Sequence, residues 1–267
     1  MNDKPENTAG TGDEEVIYTS VRSVGFARYR ELLEDNWKAF FATGFINLLF
    51  YIPFAAGMVY AVLSKSSLIA LIFGIIGGAI SGPGTACMYD LILRRMRNDL
   101  SDWSVCWKKS FRQNSRASVL PGTLQCTFTG LAVYSGALML WGAAKPSPGS
   151  AALILFGSLV MTMILTVWWA QLVLFSQKTL IMIKNSLFFS LFHFGRMLGA
   201  AALQVGWWII MFLFLPWTAF VIPILGVWYI DFLALHIIYR PLNQDFKIEE
   251  QIRAAFPGTL PEGEYIP

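Results

Sequence analysis

The chain has 267 residues, of which 55% are hydrophobic and 14% charged, with a mean hydropathy of +0.53 and a formal net charge of +3. A soluble domain carries roughly 25% charged residues, and a soluble fold of this size cannot hide so much apolar side chain. The composition therefore excludes a water-soluble globule and makes a bilayer the solvent. The basic residues fall in short clusters between apolar runs, a membrane pattern that argues against a nucleic-acid surface.

Residues 1–20 are rich in Asp, Glu, Asn, Gly and Thr and read as a disordered tail. No apolar stretch precedes Ala39, so a cleavable signal peptide is not expected and the first span serves as the insertion signal. In residues 21–36, Phe26, Tyr29, Leu32 and Leu33 recur at helical spacing, which predicts a short interfacial helix.

Span one is predicted over 39–63, a stretch without a charge. At about 1.5 Å per residue it reaches about 37 Å, enough to cross a core of roughly 30 Å with tilt. Pro53 is expected to kink it. Span two is predicted over 68–93 and is rich in glycine. Small residues let helices approach closely. The run Gly82, Pro83, Gly84 is expected to kink or locally unwind this span and to act as a hinge.

Residues 94–116 form the most basic loop, with Arg94, Arg95, Arg97, Lys108, Lys109, Arg112 and Arg116 facing only Asp99 and Asp102. Leu100, Trp103, Trp107 and Phe111 share one helical face, and Ser101 is a fair N-cap. An amphipathic helix in the cytoplasmic interface is predicted, with its tryptophans at headgroup depth. Spans three and four follow over 117–141 and 151–175, joined by a turn at Lys145–Ser150. Residues 176–198 repeat the interfacial theme with Lys178, Lys184, His193 and Arg196, and His193 is expected to face headgroups.

From Gly199 to Ile238 there is no Lys or Arg. One helix of that length would be about twice the core thickness, so a hairpin is required. Pro216 is the expected turn, and Pro223 is expected to kink span six, predicted over 218–238. The expected organisation is a disordered tail (1–20), a six-span membrane domain (21–245) and a polar C-terminal tail (246–267). The fold class is all-α and polytopic: six transmembrane helices in three hairpins, with cytoplasmic interfacial amphipathic helices.

If the N-terminus is cytoplasmic, only Lys65 and Lys145 of the 20 Lys and Arg lie outside (20 − 2 = 18 inside). The positive-inside rule then places both termini in the cytoplasm of a multi-pass plasma-membrane protein. A weak internal period is also present, with leads at Lys38, Arg116 and Arg196 before successive hairpins. Cys87, Cys106 and Cys126 include no CxxC pair and read as small, reduced, buried side chains.

Several segments resemble the YesL-like family of bacterial integral membrane proteins. The likeness is carried by residues 47–53 (NLLFYIP), 82–90 (GPGTACMYD), 94–99 (RRMRND), Trp103, Trp107 and residues 111–114 (FRQN), and then by residues 184–187 (KNSL), 193–196 (HFGR) and the two-proline final hairpin. The resemblance covers residues 25–245. It implies several spans, a basic aromatic loop after span two, and an association with carbohydrate-uptake transporter components. It implies no catalytic residues. This chain departs from it in an extended acidic N-terminus and in the Gly-Pro-Gly run.

Two acids lie inside the apolar spans, Asp90 and Asp231. Ionisable groups at membrane depth are costly and carry a functional hypothesis. Asp90 precedes Arg94 by four residues, in the favourable order for a helix ion pair. Asp231 needs a partner, a water cavity or a proton. Tyr229 neighbours it and His236 follows, so Tyr229, Asp231 and His236, with Asp90 and Arg94, form the candidate intramembrane polar site. A helix–helix hydrogen bond is the structural alternative. Arg94, Arg95, Arg97, Lys108, Lys109 and Arg112 are the candidate lipid- or partner-binding residues.

Gly82–Gly84 lacks the Lys-Ser/Thr ending of a phosphate loop, and no nucleophile elbow or zinc motif is present. No metal, cofactor or enzymatic activity is expected. The expected function is that of an accessory or transport-related component in solute uptake, with the bilayer and a transporter complex as partners. The alternative is an interaction protein that docks a partner or anionic lipid through its basic segments.

Overall fold

The computed structural model describes residues 25–99, 101–142, 147–175 and 177–255. The expected tail at 1–20, Lys145 and the residues after 255 lie outside the described residues. Those described are all-α, with no strand among them. The helices are α1 (Phe26–Leu63), α2 (Ser67–Met96), α3 (Trp103–Asn114), α4 (Val119–Trp141), α5 (Pro148–Leu174), α6 (Thr179–Phe192), α7 (Phe194–Leu213), α8 (Val221–Leu225), α9 (Trp228–Phe246) and α10 (Ile248–Ala255). A 3-10 turn, Trp217–Phe220, leads into α8.

Five helices are long and apolar enough to cross a membrane: α1, α2, α4, α5 and α7. The pair Trp217–Leu225 and Trp228–Phe246, bent by 56°, makes a sixth if it is one span. Large apolar side chains such as Ile52, Val59, Ile76, Leu153, Phe156, Ile210 and Leu213 point outward. So wide an apolar exterior fits lipid, not water.

Local sequence sets the helix starts. Ser66 caps α2 by accepting from the Ile69 N–H at 3.4 Å, and Ser147 caps α5 by accepting from Ser150 at 3.1 Å with Pro148 next. At α3 the cap is Asp102, whose Oδ1 accepts from the Ser104 N–H at 2.8 Å, one residue after the expected Ser101. Ser101 instead donates to Asp99.

The expected short interfacial helix at 21–36 is not separate. α1 runs 38 residues from Phe26 through Pro53 without a break, about 57 Å. Nothing between residues 36 and 39 stops a helix, so the charged leading turns simply continue the apolar ones. The order of long, long and short helices recurs three times: α1, α2, α3; α4, α5, α6; α7, the broken span, α10.

The run Gly82, Pro83, Gly84 does not interrupt α2, which stays helical from Ser67 to Met96. The reason is packing. Gly74, Gly78 and Gly82 fall one turn apart on a face against α4, and a Cβ on them would strike the Thr127 Cα at 2.7 Å, the Gly122 carbonyl and the Ser118 carbonyl. Gly77 and Gly84 face α1, where a Cβ would meet Phe54 and, at 2.6 Å, the Asn47 Oδ1. The glycines therefore bring backbones together in the small-residue manner of membrane helices. With protein on both sides, residues 81–93 are buried throughout.

α2 is the axis of the bundle, with α1, α3, α4, α5 and α9 all packed on it. The main core joins α2 to α5, α7 and α9 through Met88, Ile92, Leu93, Trp169, Met197, Phe232, Leu235 and Ile238. A small cluster of Met58, Ala61, Ala70 and Tyr134 closes the far end of α1, α2 and α4. The first turn of α1, the end of α2, α3, α6 and the end of α9 share one end of the bundle. There Arg28 reaches Asn98, Gln171 reaches Ser186 and His193 reaches Asp245.

α10 lies within the stretch expected to be a polar tail, yet it docks: Tyr239 Oη donates to Glu249 Oε1 at 3.0 Å and Ile248 is buried. α6 buries Met182, Ser186, Phe189 and Ser190 and turns Leu180, Leu187, Leu191 and Phe192 outward. His193 pairs with Asp245 at 2.8 Å, so its partner is a carboxylate of this chain.

Candidate functional site

The discontinuity in the membrane-spanning helices lies at Gly226 and Val227, three residues after Pro223. Pro223 has no N–H, so it cannot bond the carbonyl of Ala219 and cannot continue a regular ladder. Freed backbone groups at membrane depth need new partners. Here two indoles supply them. Trp207 Nε1 donates to the Gly226 carbonyl at 3.1 Å, and Trp228 Nε1 donates to the Ile224 carbonyl at 2.8 Å. Tyr229 packs tilted against the Trp207 ring and edge-on to the Trp228 ring, 5.8 Å from each. Its place is the aromatic seal of the break.

Asp231 lies in the first turn of α9, immediately past this discontinuity. A carboxylate there faces the positive end of the helix dipole. Tyr89 Oη of α2 donates to its Oδ1 at 3.4 Å. Thr166 of α5 lies beside Tyr89, and Tyr51 of α1 is within electrostatic reach of both Tyr89 and Asp231. Gln204 of α7 donates to Thr166 Oγ1 at 3.1 Å.

A second arm runs toward α1 and α4. Tyr51 Oη and Thr85 Oγ1 are 3.0 Å apart, Thr85 reaches Asn47 Oδ1 at 3.5 Å, and Ser81 meets Cys126 Sγ at 3.3 Å. Asn47 donates to Met88 Sδ at 3.5 Å. Six helices thus send polar groups into one buried network around an acid.

The other expected members do not join it. His236 stands edge-on to Tyr29 at 5.5 Å and beside Phe232 at 6.3 Å. Five residues of helix turn it about 140° away from Asp231, so the two do not share one polar site. Asp90 points to the charged end, where Arg94 Nε donates to its Oδ2 at 3.1 Å, as the spacing predicts. Arg94 also holds Asp99 Oδ2 at 2.9 Å. Neither of the two described depressions reaches Asp231: both are open, one on α3 by Lys108, Lys109 and Arg112, the other between α4 and α5 by Phe128 and Leu153.

At the charged end, burial alone would raise the Asp99 carboxyl. The Ser101 hydroxyl and N–H, then Arg94, outweigh burial and hold it below its usual value. Arg95 Nη1 and Nη2 donate to the carbonyls of Asp99 and Ser101 at 2.6 and 2.7 Å. Burial raises the Cys106 thiol. It also lowers the Arg97 guanidinium.

On α3, Trp103, Trp107 and Phe111 are half-buried and Cys106 and Ser110 are buried, while Lys108, Lys109 and Arg112 stand exposed. This face of the helix packs on α2, with further contacts to α1 and α5. All three cysteines are buried and free. The described residues contain no group of His, Cys, Asp and Glu able to hold a metal.

Sequence reasoning found Asp231 but missed Tyr89, Tyr51, Thr166 and Gln204. Single polar residues on apolar helices carry no periodic signal, and only the tertiary fold brings them together.

The chain is an all-α, multi-pass membrane protein. Comparison with known proteins found no matching family model, no similar curated protein and no similar solved structure.

Proposed function

We propose that the chain is a transport-related component of a bacterial plasma membrane, working in solute uptake, with Asp231 as its intramembrane polar site. The observation that carries this reading is the Tyr89–Asp231 pair at the broken sixth span. Broken helices with an ionisable group at the break recur where transporters hold substrates and coupling ions. The enclosed network corresponds to a closed state, in which α8 or α9 must move to admit a solute. Both termini lie in the cytoplasm, because 18 of 20 Lys and Arg then face inward. The resemblance to YesL-like proteins supports a carbohydrate solute and an accessory role beside a transporter. No catalysis is assigned.

Uptake of labelled sugars tests this reading in a strain lacking the protein, complemented with the wild type or Asp231→Asn. Uptake should fall in the deletion, return with the wild type, and stay low with Asp231→Asn. Uptake that is the same in all strains removes the reading.

A second reading rests on α3. With its inner face packed, its exposed Lys108, Lys109 and Arg112 suit an acidic partner surface. Replacing all three by Gln should abolish co-purification of a transporter subunit. Retained co-purification counts against docking at α3.

A further inference from the structure

α3 starts at the charged end of the bundle and climbs along α2. Cys87 Sγ of α2 donates to the Trp107 carbonyl at 3.7 Å, and Phe111 packs on Phe50 of α1 with ring centres 6.1 Å apart. At the top of the climb the Ser118 carbonyl lies against Gly82, where a Cβ would strike it. Cys87 and Gly82 precede Arg94 by seven and twelve residues, and Phe50 follows Lys38 by twelve. At about 1.5 Å per residue along the helix axes, the climb runs from about 10 to about 18 Å inside the flanking cations Lys38 and Arg94. Half of a hydrocarbon core is about 15 Å.

The neighbours of α3 at that level are apolar. Phe45 and Leu49 stand exposed on α1, and Val119 and Leu120 on α4. α3 instead turns Lys108, Lys109 and Arg112 outward, and Arg116 follows them, also exposed. Among the described residues none of these four makes an ion pair. Lys108, Lys109 and Arg112 line an open depression of about 420 Å³ with Val105 and Gln113.

Cations at hydrocarbon depth draw in water or a counter-charge, and the bilayer thins around them. Residues 108–116 hold four cations and no acid, so the counter-charge comes from elsewhere. Lipid phosphates are the most abundant anions at this end of the spans, and anionic lipids attract clustered Lys and Arg. The apolar rim of Leu49, Val119 and Leu120 suits acyl chains. One lipid therefore satisfies the whole surface, with its phosphate on the cations and its tails on the rim.

We propose that α3 draws the phosphates of anionic phospholipids below the headgroup plane, with Lys108, Lys109, Arg112 and Arg116 as their counter-ions, and so thins the adjacent leaflet. This gives the α3 cations a lipid in place of a protein partner, and it does not depend on Asp231.

The test uses the full chain alone in nanodiscs of phosphatidylcholine and phosphatidylglycerol, so its outcome is independent of any transporter subunit. Spin labels read depth at Gln113→Cys on α3 and Leu49→Cys on α1, with the buried native cysteines left in place. The label at 113 should be reached by a water-soluble nickel chelate, and the label at 49 by oxygen. Native mass spectrometry after release should find phosphatidylglycerol retained over phosphatidylcholine. That preference should fall roughly fivefold for each cation removed in Lys108→Gln, Lys109→Gln and Arg112→Gln. These side chains are exposed, so the variants should unfold at the wild-type temperature. Equal nickel access at both labels would put the whole level in water and overturn the proposal, as would oxygen access alone at both. A wild type without lipid preference overturns it in favour of a water-filled notch or a protein partner. A preference that survives all three substitutions places the lipid elsewhere and overturns it too.

Discussion

The indole N–H of Trp207 on α7 donates to the carbonyl of Gly226 at 3.1 Å, so a side chain from one helix completes the backbone of another where its ladder stops. The broken sixth span therefore depends on α7. Trp207→Phe keeps an aromatic ring, though a smaller one, and deletes the donor. It should destabilise the protein by about 0.5–2 kcal/mol, read by reversible unfolding in bicelles. Gly136→Ala, with open space around the new Cβ, serves as the helix-interior control and should be neutral or slightly stabilising. Equal effects would show that the indole bond is not what closes the break.

Tyr89 and Asp231 join helices far apart in sequence through one hydrogen bond. A double-mutant cycle with Tyr89→Phe and Asp231→Asn should return a coupling of about 0.5–1.5 kcal/mol. Strictly additive losses would mean that the two side chains are neighbours without a bond.

The α2–α4 contact tolerates no side chain at Gly78 or Gly122, since each Cβ would strike the other's carbonyl. Gly78→Val should cost about 3 kcal/mol or more, and the folded yield should fall accordingly. Gly199→Ala, on an open face, should leave the yield unchanged.

The depressed Asp99 carboxyl has a pH signature. A carboxyl whose folded value lies below its unfolded value of 3.8 stabilises the fold above that value and loses the contribution as pH falls below it. Asp99→Asn should therefore be less stable than the wild type at pH 7, and the gap should close as pH drops through and below 3.8. A gap that persists in strong acid would assign the loss to packing and not to charge.

Much of this fold is written in the distribution of charge. Long uncharged stretches bounded by Arg and Lys located α1, α2, α4, α5 and α7, and Pro216 marked the last turn, because transfer of charge into hydrocarbon dominates every other local term. The break was harder to place. Both Gly82–Gly84 and Pro223–Gly226 carry helix-breaking residues, and local propensity ranks the first pair of glycines as the weaker helix. What separates them is tertiary. The first is clamped in helical form by Ser118, Gly122 and Asn47, while the second is released and then sealed by Trp207 and Trp228. The site was half legible for the same reason. Asp231 stands out as a lone acid in an apolar run, but its partner Tyr89 looks like any aromatic, and the His236 suggested by proximity in sequence is carried round the helix to Tyr29.

The packing of α4 carries a consequence for biogenesis. α4 leans chiefly on α2, across the glycine seam, and far less on its own hairpin partner α5. The first hairpin therefore leaves the ribosome with its seam bare, and the second emerges with no closed unit of its own. Completion must wait for chain made later, so a nascent chain halted after α2 would present Gly74, Gly78 and Gly82 to lipid or to the insertion machinery.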